Sequence, residues 1–589
     1  MPAMSFEIEL KFRIPAARLA ALRRALATPS AVVDALAAVY FDTPGEHLAQ
    51  ARVALRLRLE AGRWVQTLKA EGATAMQRLE HNVAVPGGPG QRPALDVARH
   101  HGSPAGAVLA RVLARAQAEL RQEARQDARQ EARQEVRQEV RQRARDSARP
   151  ESAAGSGAVA LVERCATGVR RTRRVLRHGT ALIELALDEG QIRAGSAVCA
   201  VCEIEFELLR GPPQALLDVA GRWVSRFGLV LDVRSKSERG HRLAQGQSAS
   251  PPTAARPLKL ARRASPAQAL AAMLANPLGQ VLANASQMAD DGGQPEHLHQ
   301  LRVGLRRLRS VLHVFGPLST PASSSLPAPP TVLAAPAAPT LLAAPAAPAA
   351  LAVASLATRL AALFGQLGAA RDQDAMAEWL WPALQAAGAP PLRQPPRPPA
   401  NPAADVATLL RAPATQHLWL ALLGACQPVV IAPDAAPDAA PDDAPPTSGP
   451  ASPPPPAPPA LHRLLRQPLR QRYRQVQRDA ARFDALDDAD RHRLRRRIKR
   501  LRYATELSAA LWPARQVQRL LRGLARAQAP LGEFNDTVVA LAHCQALAAH
   551  DGAAWFAVGW LSARREALAP LCSQALARLA RRPGCWRRR

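Results

Sequence analysis

The chain has 589 residues, with 78 Lys and Arg against 48 Asp and Glu, and its formal net charge is +30. A surplus of this size indicates a polyanionic partner, namely nucleic acid, an acidic membrane or an inorganic phosphate polymer. Aromatic residues make up only 4% of the chain, too few for platforms that stack bases, so we do not expect nucleic acid.

The cysteines and the start of the chain bear on the compartment. Seven scattered cysteines argue against a disulfide framework and for a reducing compartment. The first twelve residues carry two Glu and a Lys, which is unlike a signal peptide. The stretch 310–358 has no charge but is rich in Pro and Ala, which is not typical of a membrane span. We therefore expect a cytoplasmic protein without a membrane segment.

Near the start of the chain, polar and apolar residues alternate from Phe6 to Phe12, which predicts a strand with Glu7, Glu9 and Lys11 on one face. A helix over 15–27 and short strands over 39–44, 53–59, 64–69 and 78–83 follow, with a hairpin turn at Ala61-Gly62. The charged faces of these strands carry Arg56, Arg58, Lys69 and Glu80.

Residues 119–146 are a low-complexity insertion in which Arg recurs every four residues, so neighbouring arginines repel on a helix and no chemistry is expected there. Three further strands are predicted over 169–175, 180–188 and 202–208, with a turn at Glu189-Gly190. Their charged faces carry Arg171, Arg173, Glu184, Asp188, Glu203 and Glu205. A helix over 213–227 follows, and the segment 235–240, with Lys236, closes the region.

Six of about eight strands therefore carry a one-sided charged face, and both signs of charge occur. This pattern is best explained as the lining of a closed barrel whose outward faces pack elsewhere. Clustered cations suit a polyphosphate, whereas clustered carboxylates repel one another unless a hard divalent cation such as Mg²⁺ or Mn²⁺ lies among them.

The motifs Glu7-x-Glu9-x-Lys11, Arg56-x-Arg58, Lys69, Glu203-x-Glu205 and Ser-Lys236-x-x-Arg239-Gly240 resemble the CYTH domain, or triphosphate tunnel metalloenzyme family, over residues 4–245. The resemblance implies an eight-stranded antiparallel tunnel that binds a triphosphate and a divalent metal. It implies metal ligands at Glu7, Glu9, Glu203 and Glu205, and phosphate-binding cations at Lys11, Arg56, Arg58, Lys69, Arg171, Arg173 and Lys236.

From about residue 262 the pattern becomes helical. At 100° per residue, His299, Arg302, Arg306 and Arg309 fall within one stripe about 80° wide. The same offsets return at His492, Arg495, Lys499 and Arg502. Each helix precedes a related motif, Leu367-Gly368-x-x-Arg371-Asp372 in the first case and Leu531-Gly532-x-x-Asn535-Asp536 in the second. We interpret this as an internal duplication of a helical unit.

Low-complexity insertions rich in Pro and Ala interrupt this half at about 317–352, 386–404 and 432–460. The remaining helices resemble the CHAD domain, the conserved histidine α-helical domain, over residues 257–580. That resemblance implies a pair of pseudo-symmetric helical bundles that bind inorganic polyphosphate on a basic surface. It implies polyphosphate contacts at His299, Arg302, Arg306, Arg309, His492, Arg495, Lys499 and Arg502.

The sequence thus predicts an α+β domain with an eight-stranded antiparallel tunnel, followed by an all-α duplicated bundle with disordered insertions. The function we expect is hydrolysis of inorganic triphosphate to pyrophosphate and phosphate with Mg²⁺ or Mn²⁺, beside binding of long-chain polyphosphate, and location at polyphosphate granules would follow. Lys69 would assist catalysis, and Glu184 or Asp188 would orient water. An adenylate cyclase, an organic triphosphatase and a non-enzymatic binder of polyphosphate or nucleic acid stay open.

Overall fold

Two units divide the chain in the computed structural model, which describes residues 6–88, 90–142, 159–260, 264–290, 292–316, 349–375, 379–391, 402–427 and 461–586. Unit 1 comprises Met1–Pro252 and Arg411–His417. Unit 2 comprises Thr253–Leu410 and Leu418–Arg589. Residues 143–146 of the first predicted insertion lie outside the described residues, as do 317–348, 392–401 and 432–460 of the other three.

Unit 1 is built on a closed antiparallel barrel. The strand order is β5-β4-β3-β2-β6-β7-β8-β1, and β1 also pairs with β5, so eight strands form a ring that a ninth, very short strand extends at β1. This confirms the predicted eight-stranded fold. The strands are β1 Phe6–Arg13, β2 Val32–Asp42, β3 Val53–Glu60, β4 Arg63–Glu71, β5 Gln77–Val85, β6 Val162–His178, β7 Ala181–Ala194, β8 Ala197–Arg210 and β9 Val230–Leu231.

Helices cover the outward faces of this barrel, because those faces are apolar. Phe206 on β8 makes edge-to-face contacts with Phe12 of β1 and Trp223 of α4, with ring centroids 5.4 and 5.7 Å apart. Leu68 of β4 shares a buried cluster with Leu109 of α3. The helices of unit 1 are α1 Ala16–Leu26, α2 His47–Gln50, α3 Pro104–Gln142, α4 Pro213–Phe227 and α5 Lys236–Ala244.

The inward face of the barrel changes character along its length. On β6, Cys165 and Val169 belong to a buried apolar cluster against which Leu243 of α5 packs, whereas Arg171 and Arg173 follow on the same face. Helix α5 thus packs on the apolar part of the inner face, and the charged part lies beside it. The interior of the barrel is therefore closed by α5 at the apolar part, near Cys165 and Val169. Beside it lies a charged chamber, near Arg171 and Arg173.

Several strand boundaries differ from those predicted, and β6 and β8 begin earlier, at Val162 rather than 169 and at Ala197 rather than 202. Glu189-Gly190 does not turn the chain, since β7 runs on to Ala194 and Gly190 pairs with Val169. A Cβ on Gly190 would lie 2.1 Å from the carbonyl oxygen of Gly168, so this glycine permits close strand contact rather than a turn. Strand β2 begins at Val32 rather than near residue 39, because it pairs with β6 along its whole length.

Helix α3 passes through most of the predicted low-complexity insertion and begins well before it. Its first half packs on the barrel through Ala105, Leu109 and Ala116, which are all buried. Glu119 accepts a hydrogen bond from Arg115 at 2.7 Å and contacts Nε2 of His47 at 2.9 Å. The residues that follow, from 120 to 126, are exposed.

Helices form the described part of unit 2, as predicted for this half. Helix α7 packs on α6, α8 and α13, and α14 packs on α13 and α15. Helix α11 belongs to unit 1 at its start and to unit 2 from Leu418 onward. The helices are α6 Pro266–Met288, α7 Pro295–Phe315, α8 Ala349–Ala375, α9 Trp381–Ala386, α10 Pro402–Arg411, α11 Pro413–Ala425, α12 Leu461–Ala481, α13 Asp488–Leu507, α14 Ala514–Ala548 and α15 Ala554–Ala580.

Candidate functional site

Lys69 of β4 is the centre of one cluster of charges inside the barrel. Its Nζ lies 2.6 Å from a carboxylate oxygen of Glu7 and 2.6 Å from one of Glu80, and 3.8 Å from Glu9. Arg78 of β5 reaches Glu9 at 3.6 Å. Neighbouring strands therefore bring together three carboxylates around one ammonium.

Two of the carboxylates around Lys69, Glu7 and Glu80, have pKa values shifted in opposite directions. Burial raises the pKa of Glu7 to about 10, against the attraction of Lys69, and the neighbouring carboxylates Glu80 and Glu9 add to the rise. Burial also acts against ionisation of Glu80, but its hydrogen bond with Glu7 and the ammonium of Lys69 lower the pKa of Glu80 to about 2. The raised pKa means that Glu7 favours its neutral, protonated form in this environment.

Lys236, at the first turn of α5, is the centre of a second cluster. Its Nζ lies 2.7 Å from Asp188, 2.5 Å from Glu203 and 2.8 Å from Glu205. One ligand atom from each of these three carboxylates lies within 4.8 Å of the others. Arg171 donates to both oxygens of Asp188 at 2.7 Å and to Glu205 at 2.6 Å.

The predicted basic stripes lie on α7 and α13, which pack on each other within unit 2. The guanidiniums of Arg302, Arg306 and Arg309 all lie over the ring of Phe364 of α8, at 4.9, 5.9 and 5.1 Å from its centroid. On α13, Arg502 is bound to Glu506 and to Gln528, at 2.8 Å each.

The two halves of the helical unit repeat one specific contact. Arg302 donates to the carbonyl oxygen of Leu367, and a Cβ on Gly368 would lie 3.5 Å from its guanidinium. The corresponding Arg495 would lie 3.7 Å from a Cβ on Gly532. The arginine three residues after each histidine therefore packs on the glycine of the following Leu-Gly motif in both copies, which is the arrangement that a duplication predicts.

Family models match both halves of the chain. The CYTH domain model matches residues 5–230, and the CHAD domain model matches residues 272–334 and 340–545. The chain carries a CYTH domain and a CHAD domain. The barrel is thus the CYTH domain, and the α7 and α13 stripes belong to the CHAD domain.

Solved structures also resemble the chain. The CHAD domain from the plant Ricinus communis is 25% identical, covers 57% of this chain and 98% of its own, and has a TM-score of 0.39. A Hippeastrum protein described as an adenylyl cyclase with a dominant triphosphatase activity is 18% identical, covers 41% and 96%, and has a TM-score of 0.23. A Bacillus halodurans adenylate cyclase is 13% identical, covers 38% and 89%, and has a TM-score of 0.21.

Charge pairs favour the ionised forms of Lys236 and Glu205 in the second cluster of the CYTH domain. Burial alone would lower the pKa of Lys236, but Glu203, Glu205 and Asp188 raise it well above its usual value. Burial would likewise raise the pKa of Glu205, but Lys236 and Arg171 lower it well below the usual range. The ammonium lies among three carboxylates, whose oxygen atoms are donors of the kind that hard divalent cations bind.

The remaining predicted residues of the CYTH domain lie around these clusters. Arg56 donates to the hydroxyl of Tyr40 at 3.2 Å. Arg58 pairs with Glu60 at 2.7 Å, and Lys11 lies 3.8 Å from Glu203. Arg173 pairs with Asp34 at 3.0 Å and lies 3.8 Å from Glu184.

The structure divides the four predicted metal ligands between the two clusters. Glu7 and Glu9 lie with Lys69, whereas Glu203 and Glu205 lie with Lys236 and with Asp188, for which the sequence suggested a role toward water. The side chain of Asp188 is fully buried, and both of its oxygens accept from Arg171. Glu184 is more open, with 18% of its side chain exposed.

Sequence reasoning missed Arg239 as a member of this site. Its Nη1 lies 3.2 Å from Glu203, and its Nη2 lies 3.4 Å from Sγ of Cys199. The signal was present, because Ser235 caps α5 by accepting from the backbone N–H of Glu238 at 3.0 Å. A helix that starts there puts residues three apart, Lys236 and Arg239, on one face.

The CHAD domain concentrates positive charge where its two stripes meet. Burial, followed by the charges of Arg495 and Arg306, lowers the pKa of Lys499 to about 7. Arg306 is on α7, whereas Lys499 and Arg495 are on α13, so the stripes face one another. His492 contacts Oδ1 of Asn535, and His299 is half-buried. The side chains of Arg371 and Asp372 lie outside the described residues.

None of the described helices combines the length and the apolar character that a bilayer crossing requires.

Proposed function

We propose that the CYTH domain hydrolyses inorganic triphosphate to pyrophosphate and phosphate with Mg²⁺ or Mn²⁺, and that the CHAD domain binds long-chain polyphosphate. The observation that carries the first part is the pairing inside the barrel. Lys69 and Lys236 each contact three carboxylates, and Arg171 contacts two. Such a lining supplies cations for a polyanion and carboxylates for a metal.

Binding of triphosphate and binding of a divalent metal are linked, because each replaces a partner that the lining side chains now have. A triphosphate that binds Lys11, Arg56, Arg58, Lys69, Arg171, Arg173 and Lys236 competes with the groups that these cations now contact, which are the hydroxyl of Tyr40 for Arg56 and carboxylates for the other six. Carboxylates that lose their cation in a buried chamber are costly unless another cation replaces it. Binding of the substrate and of a divalent metal should therefore support each other.

Each group has a role in this proposal. Phosphoryl transfer requires mainly positioning and neutralisation of charge, which the lining cations provide. Lys69 neutralises charge on the phosphoryl oxygens, and the more open Glu184 orients water, while Asp188 holds Arg171 in place. Glu7, Glu9, Glu203 and Glu205, with Asp188, supply the oxygen donors for Mg²⁺ or Mn²⁺. When bound, the metal supplies Lewis-acid neutralisation of phosphoryl charge.

Polyphosphate binding by the CHAD domain is supported by the convergence of charge from α7 and α13. The depressed pKa of Lys499 follows from burial beside Arg495 and Arg306. Asp536 attracts the ammonium of Lys499, but less strongly than Arg495 and Arg306 repel it. A linear polyanion would relieve this repulsion. Attachment to polyphosphate would place the protein at polyphosphate granules in the cytoplasm.

The test is a substrate panel with the full chain. Triphosphate, ATP, thiamine triphosphate and long-chain polyphosphate are compared for phosphate release with Mg²⁺, with Mn²⁺ and with chelator. The proposal expects the highest kcat/KM for triphosphate and no release with chelator. Preference for ATP, with cyclic AMP as product, would indicate a cyclase instead, and preference for thiamine triphosphate an organic triphosphatase. No turnover of any substrate would contradict the enzymatic function.

A further inference from the structure

Helix α12 carries a second basic surface, apart from the two stripes. Four of its arginines follow one another at intervals of four residues, Arg466, Arg470, Arg474 and Arg478, and Arg463 precedes them on the same face. At 1.5 Å per residue, the four extend over about 18 Å of helix. They line an open groove of about 1140 Å³ together with Gln467, Gln471 and Gln477.

Ala580, the last residue of α15, also lines this groove. Gln477 donates to the carbonyl oxygen of Ala580 at 2.7 Å, and Nε of Arg466 donates to that of Trp586 at 2.8 Å. These bonds fix two side chains of the groove. Arg463, Arg470, Arg474 and Arg478 are exposed, and none of them takes part in an ion pair with any residue of the described ranges.

Arginines four residues apart on a helix repel one another. On α3, where Arg also recurs every four residues, glutamates and an aspartate alternate with the arginines, so the repeat has little net charge although its arginines are still i,i+4 neighbours. Helix α12 contains no acid before Asp479, and Asp479 is occupied with Arg497. The face thus retains a destabilising row of charge, as expected of a surface selected to bind an anion.

The chemistry of the face distinguishes among polyanions. The aromatic residue of α12, Tyr473, is buried, so the face offers no platform for bases. Leu465, Leu469 and Val476 are also buried on the opposite side, so no apolar edge would enter a membrane. Guanidiniums interleaved with amide donors match an unbranched chain of phosphate groups, which carries charge and acceptors and nothing else.

We propose that the α12 groove is a second binding site for long-chain polyphosphate, separate from the stripes of α7 and α13. This inference rests on the proposed function of the CHAD domain. A polyphosphate chain that occupies both surfaces gains affinity because the second contact becomes intramolecular. A chain bound at the groove alone could equally link two protein molecules.

The test uses the full chain and four variants, one of which combines the six substitutions of the groove and stripe variants. The groove variant is R470Q/R474Q/R478Q, and the stripe variant is R306A/R495A/K499A. The matched control, R111Q/R121Q/R125Q, removes three exposed arginines of α3 and so the same net charge. Affinity for long-chain polyphosphate is measured over a range of salt, with duplex DNA as competitor. Because the groove variant removes like-charge neighbours, it should melt no lower than the wild type.

We expect the groove variant to lose at least about tenfold in affinity, and to lower the slope of log K against log salt by about 2, at roughly 0.7 per charge. The control should match the wild type, and the stripe variant should keep residual binding that the combined six-fold variant lacks. A groove variant that matches the control, or residual binding that duplex DNA displaces more readily than polyphosphate, would overturn this inference alone. A wild-type chain that does not bind polyphosphate would contradict the proposed function itself.

Discussion

Gly240 of α5 packs directly on Cys165 of β6. A Cβ at Gly240 would lie 2.2 Å from Sγ of Cys165 and 2.9 Å from its Cβ. The same helix carries Lys236 and Arg239, which reach Asp188, Glu203 and Glu205. The absence of a side chain at one position therefore decides how deeply these two cations enter the barrel.

Gly240→Ala should displace α5, and we expect it to lower the free energy of unfolding by about 1–3 kcal/mol, the usual cost of an overpacked core. Triphosphate hydrolysis should fall with it, because Lys236 moves away from its carboxylates. The double variant Gly240→Ala with Cys165→Ala should recover part of both losses. Thermal melting and phosphate release give the two readouts. Gly279→Ala, at a glycine with open space around it, is the control.

Glu7→Gln with Glu9→Gln should reduce metal-dependent hydrolysis by at least about 100-fold, the scale of loss when an electrostatic stabiliser is removed from an active site. The fold should persist, because the raised pKa of Glu7 shows that its charged form is disfavoured without metal. The control Glu163→Gln with Glu566→Gln changes two exposed carboxylates. Unchanged turnover in the folded double variant would remove Glu7 and Glu9 from the metal site.

The two halves of α3 should respond differently to change. Deletion of 124–146 should leave triphosphate hydrolysis within about twofold of the wild type, because the described residues from 121 to 126 are exposed. Leu109→Ala should lower the free energy of unfolding by about 2–5 kcal/mol, because Leu109 is 2% exposed and its removal leaves a cavity. Thermal melting of both variants tests this contrast. A large loss of turnover in the folded deletion variant would show that the exposed half contributes to the site.

Lys499 should make polyphosphate binding sensitive to pH. Its pKa of about 7 means that the free protein loses this charge as pH rises through 7, whereas a bound polyanion favours the protonated form. Affinity should thus be constant well below pH 7 and fall above it, by at most about tenfold per pH unit for one proton. Proton uptake during binding at pH 8, measured by calorimetry in buffers of different ionisation enthalpy, checks the prediction.

Lys499→Arg is the matched variant for this effect. A guanidinium stays charged across this range, so its affinity should not decline between pH 7 and pH 8.5, and no proton should be taken up at this position. An identical pH profile for wild type and variant would show that Lys499 does not carry the dependence.

Period-two alternation was enough to predict the barrel and its charged inner face, because each strand buries one face and exposes the other to a common chamber. It was not enough to predict the strand boundaries. Gly190 is a residue type common in turns, but here it lets β7 approach Gly168 of β6 closely. Only tertiary packing distinguishes these two uses of glycine.

The sequence also could not predict which carboxylates would lie with Lys69 and which with Lys236. Spacing along β1 and β8 places Glu7, Glu9, Glu203 and Glu205 on inner faces, but it does not say which lysine each will contact. That depends on strand register, in which Lys11 lies opposite Glu205 and Glu9 opposite Glu207. In the helical half, identical offsets predicted the two stripes, whereas the contacts of Arg302 and Arg495 with glycines depend on how the helices pack.

Strand β1 has a consequence for how the protein is made. It pairs with β5 at Phe6–Leu79 and with β8 at Lys11–Glu205, so it closes the ring. During synthesis at about 5–20 residues per second, the ribosome needs about 10–40 s to travel the roughly 200 residues from Lys11 to its partner. For that time the edge of β1 that pairs with β8 is unpaired, and the barrel is open between these two strands. Chaperone capture of nascent chains should therefore be strongest before β8 emerges.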